Sequence, residues 1–217
     1  VTNEDLAQMR NLNSKAELRI LSNGVDTEKF LPPGNESQRR DLIFTGKLDA
    51  WVNNLMVKRI VENIFPKIKQ EVPETRLHIV GSKPTEEIMS YRSESIFIHP
   101  DVPDFTPYLQ SSAVYLHAHL GGSGIQNKLL EAMACGLPVV GNDTGALREL
   151  VVSGAGEIAP YGGDVWQLDK PDIHALADSI QKVINNQPVY SKQAREYAET
   201  NFNIQDVADR YLEMLLN

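Results

Sequence analysis

Cysteine, basic charge and long apolar runs are all scarce in this sequence of 217 residues. The lone cysteine, Cys135, excludes an internal disulfide and a cysteine-built zinc site, and it favours a reducing cytoplasm. Acidic residues outnumber basic ones by 29 to 21, a balance that argues against a nucleic-acid-binding protein. The longest apolar stretch, residues 129–140, is broken by Glu131, Gly136 and Pro138 and falls short of the ~18 residues that span a membrane.

An initiator Met and an apolar signal segment are also missing, and the first fifteen residues are polar. We therefore expect a piece of a longer protein. The length is sufficient for one sizeable domain, which would bury roughly 70% of its unfolded surface without disulfides or metals.

Short apolar strands alternate with amphipathic helices along the chain. Strands are predicted near residues 18–21, 41–45, 76–80, 96–99, 113–116 and 138–141. Helices are predicted near residues 4–11, 54–70, 85–91, 104–109, 125–135, 145–150, 173–185, 190–201 and 205–216, with Pro66 kinking the longest of them. This alternation predicts an α/β fold with a doubly wound, Rossmann-like parallel sheet, which binds ligands at the carboxyl ends of its strands.

A glycine-rich turn connects the predicted strand at 113–116 to the helix at 125–135. It consists of Gly121, Gly122, Ser123 and Gly124. Glycines let the backbone approach a ligand, and the helix start offers unpaired N–H groups, so the turn suits a phosphate or diphosphate. It is not a Walker A loop, and Asn127 stands where a dinucleotide fingerprint needs its third glycine. A plain flexible connection is the alternative.

Charged side chains accompany this turn and the end of another strand. Glu131 lies in an otherwise apolar helix, so its carboxylate needs a partner: a ribose diol, or Lys128 three residues earlier. Lys47, after Gly46 at the end of the strand at 41–45, can neutralise a phosphate or simply pair with Asp49.

Other candidates are weaker. His117 and His119 share one strand face but lack a third metal ligand at a recognisable spacing. Cys135 ends a buried helix, which argues against a nucleophile. Asp104 is expected to cap the following helix. Trp51 and Trp166 are expected in packing contacts more than in stacking on a base or sugar.

Four segments then occur in a familiar order: Asn-Gly-Val-Asp at 23–26, Gly-Lys-Leu-Asp at 46–49, Leu-His-Ile-Val-Gly at 77–81, and residues 124–140 with Gly-Ile-Gln-Asn-Lys before Leu-Leu-Glu-Ala-Met-Ala. With residues 145–151 and the last three helices, they resemble the C-terminal domain of group-one, family-four retaining glycosyltransferases of the GT-B fold. The resemblance covers essentially the whole chain. The Gly-Ile-Gln-Asn-Lys phrase is similar to the subgroup that builds exopolysaccharides and envelope glycans.

The resemblance implies a site for a nucleoside-diphosphate sugar, with no metal and no other cofactor. Glu131 would hold the ribose hydroxyls, Lys47 a phosphate, and the loop at 121–124 the diphosphate and donor sugar. Backbone groups around Asp101 and Val102 would hold the base.

Two positions depart from the family pattern. Ser123 replaces the first of the paired glutamates, and a serine cannot stabilise a developing cation. Val52 replaces a second phosphate-binding basic residue, and our hypothesis is that Lys128 supplies that charge instead.

The resemblance also implies a separate acceptor-binding N-terminal domain, absent from residues 1–217, which form a single donor-binding domain. Residues 1–22 would lie next to the hinge, residues 190–217 would form the C-terminal helices, and an apolar patch would face the missing domain. The parent enzyme would transfer a hexose to a glycan or lipid-linked acceptor in the cytoplasm, as a peripheral protein at the inner membrane face.

Three other classes remain open at this stage. An NAD-dependent oxidoreductase lacks support, since no Gly-x-Gly-x-x-Gly is present. A GT-B epimerase or phosphorylase is the second class, and a phosphorylase needs a cofactor lysine that we cannot place. A non-catalytic nucleotide-binding module is the third.

Overall fold

A computed structural model describes residues 3–12, 15, 17–34, 39–119, 126–152, 154–164 and 169–216. Within these residues, six parallel strands form one sheet in the order β3-β2-β1-β4-β5-β6. The strands are β1 (Leu42–Lys47), β2 (Leu77–Ser82), β3 (Ile96–Pro100), β4 (Val114–His117), β5 (Val139–Asn142) and β6 (Gly156–Ala159). The predicted doubly wound parallel sheet is confirmed, since the chain winds outward from β1 to β3 and then from β4 to β6.

Two strand assignments from the sequence are wrong. Residues 18–21 form no strand, and Arg19 instead donates to the carbonyl of Met214 in the last helix (3.5 Å). The sequence prediction also missed β6, which follows Gly154 and offers only Ile158 as a β-branched residue. The strand exists because its backbone pairs with that of β5 from Gly156 to Ala159.

Ten α-helices surround the sheet in the part of the chain that the structure describes. They are α1 (Asn3–Leu12), α2 (Trp51–Arg59), α3 (Phe65–Glu71), α4 (Glu86–Ser90), α5 (Thr106–Ser111), α6 (Asn127–Ala134), α7 (Leu147–Leu150), α8 (Ile173–Asn185), α9 (Gln187–Phe202) and α10 (Ile204–Leu216). A π-helical stretch, Ile60–Ile64, joins α2 to α3 where a kink at Pro66 is predicted. Proline lacks the N–H of a regular helix and clashes with the preceding turn, so the wider turn occurs just before it.

Each face of the sheet carries its own apolar cluster. On one face, α2, α3, α4 and α8 cover Leu42 and Phe44 of β1. On the other, α5, α6, α7 and α9 cover Ile43 of the same strand. Alternate residues of β1 therefore serve opposite cores, as expected for a parallel strand buried on both sides.

The last helix closes against the segment that precedes the sheet. Val25 donates its N–H to the Phe202 carbonyl (2.7 Å), and its own carbonyl accepts from Ile204 (3.0 Å). Only Val207 of α10 is buried, and exposed apolar side chains follow it: Tyr211, Leu212, Leu215 and Leu216. None of the helices in the described ranges combines the length and apolarity that crossing a bilayer requires.

Candidate functional site

The strand order reverses between β1 and β4, and we call the space between the carboxyl ends of these two strands the crevice. These strands pair only at Leu42 with Val114 and Ile43 with Tyr115. Beyond that point the buried Tyr115 hydroxyl lies between them, accepting from the Thr45 N–H (3.3 Å) and donating to the Thr45 carbonyl (3.2 Å). Open α/β sheets bind ligands at such a reversal of strand order.

Lys128, in the first turn of α6, reaches across this crevice. Its ammonium donates to the Thr45 carbonyl (3.4 Å) and the Asn53 Oδ1 (3.3 Å), and it lies 4.7 Å from the centre of the Phe44 ring. No carboxylate among the described residues pairs with it. Burial lowers the pKa of Lys128 to about 8. A partly buried cation held only by neutral groups is suited to an anionic ligand.

Glu131 lies one turn further along α6, partly buried within a helix whose other side chains are mostly buried. Its carboxylate makes no hydrogen bond to any described residue, and the ion pair with Lys128 considered from the sequence does not form. Burial raises the pKa of Glu131, and nearby Lys29 partly opposes the rise. The carboxylate is thus available to accept hydrogen bonds from a ligand.

Gly46 and Lys47 end β1 at the rim of the crevice. A side chain at Gly46 would place its Cβ 3.0 Å from the Asn53 side chain, so glycine leaves room for that amide. Asn53 in turn donates to the Lys47 carbonyl (2.9 Å). The Lys47 ammonium is exposed and lies 3.6 Å from Asp49, so the surface pair considered from the sequence is present.

Asp101 and Val102 follow β3, beside the loop that follows β2. Asp101 has a left-handed backbone (φ 50°), as has Lys83 (φ 52°). The Asp101 carboxylate accepts from the Lys83 N–H (2.9 Å), and its own N–H donates to the Gly81 carbonyl (2.9 Å). The two loops are therefore fixed to each other.

Asp104 is not the cap residue of α5, which is Phe105, but it directly precedes that residue and its carboxylate accepts from the Thr106 N–H at 2.9 Å. That hydrogen bond lowers the pKa of Asp104. Its role is structural.

His117 and His119 line a small cavity at the end of β4, together with Gln126 and Thr144. Their rings stack with centroids 5.6 Å apart. Burial lowers the pKa of both, and the positive charges of Lys128 and Arg59 contribute to the lowering at His119. No trio of His, Cys, Asp or Glu in the described ranges is arranged to hold a metal ion.

Some of the remaining candidate residues lie within the described ranges and others lie outside them. Gly121, Gly122, Ser123, Gly124 and Trp166 lie outside the described residues. Trp51 is 76% exposed at the start of α2, so it is not packed in the core of the described fold. Burial of Cys135 raises the pKa of its thiol to about 12, which keeps the thiol protonated.

Sequence reasoning missed two residues that the structure brings to this region, Asn53 and Arg59. Asn53 links Lys47 to Lys128 through its amide. Arg59 is buried and follows the buried Met56 by three residues. Because residues three apart share one face of a helix, this spacing could have indicated that Arg59 lies in the core.

Comparison with known proteins agrees with this geometry. Residues 39–186 match the family described as Glycosyl transferases group 1. A phosphatidyl-myo-inositol mannosyltransferase of Mycobacterium tuberculosis is 28% identical over 192 residues, which cover 82% of this chain and 47% of the mycobacterial protein. The chain thus spans about half the length of the curated relatives it matches.

Two solved structures share the fold. The pneumococcal O-GlcNAc transferase GtfA, solved with UDP and GlcNAc, has a TM-score of 0.69 and 22% identity, over 98% of this chain and 42% of its own. The Anabaena protein HepE, solved with UDP and glucose, has a TM-score of 0.73 and 15% identity, over 99% of this chain and 62% of its own. The family match and the Rossmann-like sheet lead to the same conclusion: this chain belongs to the group 1 glycosyl transferases.

Proposed function

We propose that this chain binds a nucleoside-diphosphate sugar in the crevice between β1 and β4 and forms the donor half of a retaining glycosyltransferase. The observation that carries the proposal is the pair of unsatisfied charges on α6. Lys128 has no carboxylate partner in the described part of the chain, and Glu131 has no donor there. A nucleotide complements both, since its diphosphate is anionic and its ribose offers two hydroxyls.

The resemblance to the family supports one role for each of the site residues. Lys128 and Lys47 neutralise the diphosphate from opposite sides, while Glu131 accepts hydrogen bonds from the ribose. Backbone groups at Asp101 and Val102 receive the base. The loop of Gly121, Gly122, Ser123 and Gly124, on the chain between β4 and α6, faces the diphosphate and donor sugar.

The chemistry of such a site is mainly electrostatic. As the bond from the sugar to the diphosphate breaks, negative charge grows on the leaving phosphate and the sugar gains oxocarbenium character. The two lysines stabilise the first of these charges, and no metal is needed for that purpose. Ser123 cannot stabilise the second, so that task falls to groups outside the described residues.

The rest of the parent enzyme is also part of the proposal. An N-terminal domain binds the acceptor, and the exposed apolar face of α10 packs against it. Because several relatives are named for phosphatidyl-myo-inositol, a membrane lipid, we place the enzyme in the cytoplasm at the inner face of the membrane, acting on a lipid-linked or glycan acceptor.

The test is calorimetric titration of the chain with UDP, GDP, ADP and NAD. We expect one nucleoside diphosphate to bind. In Glu131→Gln its affinity falls roughly 10- to 100-fold, because hydrogen bonds to a charged acceptor contribute about 1.5–3 kcal/mol. The free energy of unfolding stays level or rises, since the substitution removes a partly buried charge that lacks a partner.

Glu213→Gln, on the exposed surface of α10, is the matched control and should leave the affinity unchanged. Binding of NAD alone would overturn the proposal. So would a Glu131→Gln variant that binds the diphosphate as tightly as the original chain.

A further inference from the structure

A second buried cation lies at the carboxyl end of the sheet. Arg59, the last residue of α2, is only 7% exposed. Its guanidinium donates to the Ala118 carbonyl just after β4 (3.2 Å) and to the Asn142 Oδ1 at the end of β5 (2.8 Å). Its Nε has no hydrogen-bond partner among the described residues.

No carboxylate of the described chain balances this charge. The groups around the guanidinium are a carbonyl, an amide and, further away, the phenol of Tyr161. Burial lowers the pKa of Arg59 to about 10, so the side chain remains charged at neutral pH. An uncompensated buried charge costs several kcal/mol, and two hydrogen bonds to neutral acceptors recover only part of it.

The positive charges of Arg59 and Lys128 both affect the carboxyl end of β4. His119, two residues after the end of β4, experiences the positive charge of both. Lys128 approaches from the β1 side, through its contact with Thr45, and Arg59 approaches from the β5 side, through its contact with Asn142. The carboxyl end of β4 therefore lies between two cations from different helices, Arg59, which is buried, and Lys128, which is partly buried.

We infer that Arg59 supplies positive potential to the phosphate end of the donor site from beneath, without touching the ligand, and so favours diphosphates over monophosphates. The inference rests on the proposed function and goes beyond it, because it assigns a charge from α2 that the contact residues do not include. In this position the field of a fixed charge passes through protein, which screens it less than water would.

The experiment compares binding of a nucleoside, its monophosphate and its diphosphate, using uridine, UMP and UDP alongside guanosine, GMP and GDP. The informative variant is Asn142→Asp, which leaves Arg59 in place but gives its guanidinium a carboxylate 2.8 Å away. We expect the affinity gain from monophosphate to diphosphate to shrink about fivefold, while the free energy of unfolding stays level or rises. Arg59→Met should shrink the gain similarly, with some loss of stability.

Lys58→Met is the control, since it removes one positive charge from the same helix at an exposed position. It should leave the gain unchanged. A purely structural Arg59 predicts that Asn142→Asp raises stability and leaves the gain intact, and that result would overturn the inference. If the original chain bound no nucleoside diphosphate at all, the proposed function itself would fail, and this inference with it.

Discussion

At the residue scale, the behaviour of Lys128 follows from where its ammonium is placed. Two neutral oxygens and an aromatic face hold the charge, and burial lowers the pKa to about 8. The ammonium is therefore charged below pH 8 and loses its proton above pH 8, whereas an ordinary lysine keeps its proton up to a pH of about 10.4. A bound diphosphate favours the charged form and raises the pKa again.

This linkage gives a prediction for pH. Above pH 8, diphosphate binding should be accompanied by uptake of up to one proton, and affinity should fall by up to about tenfold per pH unit. Calorimetry in two buffers of different ionisation enthalpy at pH 9 measures the uptake. Lys128→Arg should keep its affinity at that pH, because the guanidinium stays charged.

The comparison with Lys47 tests the same assignment in another way. Lys47 is exposed and lies near Asp49, so Lys47→Ala should cost less affinity than Lys128→Ala. If Lys128→Ala left affinity unchanged while Lys47→Ala reduced it, the assignment of the diphosphate to Lys128 would be wrong.

At the level of single residues, the sequence predicted the candidates that are indicated by their neighbours along the chain. Lys128 and Glu131 could be selected as candidate site residues because both follow a glycine-rich turn at the end of a predicted strand. Asn53 was missed, because its contact with Lys128 joins positions 75 residues apart. Arg59 was missed because its partners, Ala118 and Asn142, follow strands that only the folded sheet brings together.

At the scale of elements, arginines hold the C-terminal end of α6 against the rest of the fold. Arg195 of α9 donates to the carbonyls of Ala134, Phe30 and Thr27 at 2.6, 2.6 and 3.0 Å. Arg39 donates to the Gly136 carbonyl at 3.1 Å. Positive charge at a helix C-terminus also interacts favourably with the negative end of the helix dipole, so these contacts fix the helix that carries Lys128 and Glu131.

Removing one of these anchors should destabilise the whole chain. Arg195→Ala leaves three carbonyls without their donor, and we expect a loss of about 2–4 kcal/mol in the free energy of unfolding. Urea denaturation followed by circular dichroism measures it. Lys192→Ala, one turn earlier on the exposed side of α9, should change stability by less than about 0.5 kcal/mol. Equal effects for the two variants would contradict the anchoring role.

Elements with strong periodicity were the predictable ones. The helix expected at residues 173–185 has those bounds, because its apolar stripe and the cap at Asp172 are local signals. The π-helical stretch at Ile60–Ile64 and the strand β6 were not predicted. The first lies at the kink predicted for Pro66, but the sequence does not specify its π-helical form, whereas β6 depends on the tertiary structure because it pairs with the edge of β5.

At the scale of the whole molecule, the last helix is only loosely integrated into the described fold. Its apolar residues recur at helical spacing, yet Leu212 is 54% and Leu215 is 65% exposed. Val207, at 6% exposure, anchors the helix start near Gly24. Exposed apolar side chains are present on α10, and an apolar patch that faces another domain stays a prediction.

Because of this exposure, substitutions of the leucines and of Val207 on the same helix should have different effects on stability. The double variant Leu212→Ser and Leu215→Ser should change the free energy of unfolding by less than about 0.5 kcal/mol for each site and reduce self-association measured by light scattering. Val207→Ala should cost about 1–2 kcal/mol, because it removes buried methyl groups. A large loss of stability in the double variant would place the two leucines in the core instead.

The left-handed pair at Lys83 and Asp101 restricts how this chain can drift in evolution. At position 101, a replacement must tolerate φ 50° and also offer an acceptor to the Lys83 N–H. Asparagine meets both demands, glycine only the first, and valine and isoleucine meet neither. Descendants of this chain can therefore vary the residues around this corner but keep a very small set of residues at its centre, so we expect position 101 to change more slowly than its neighbours.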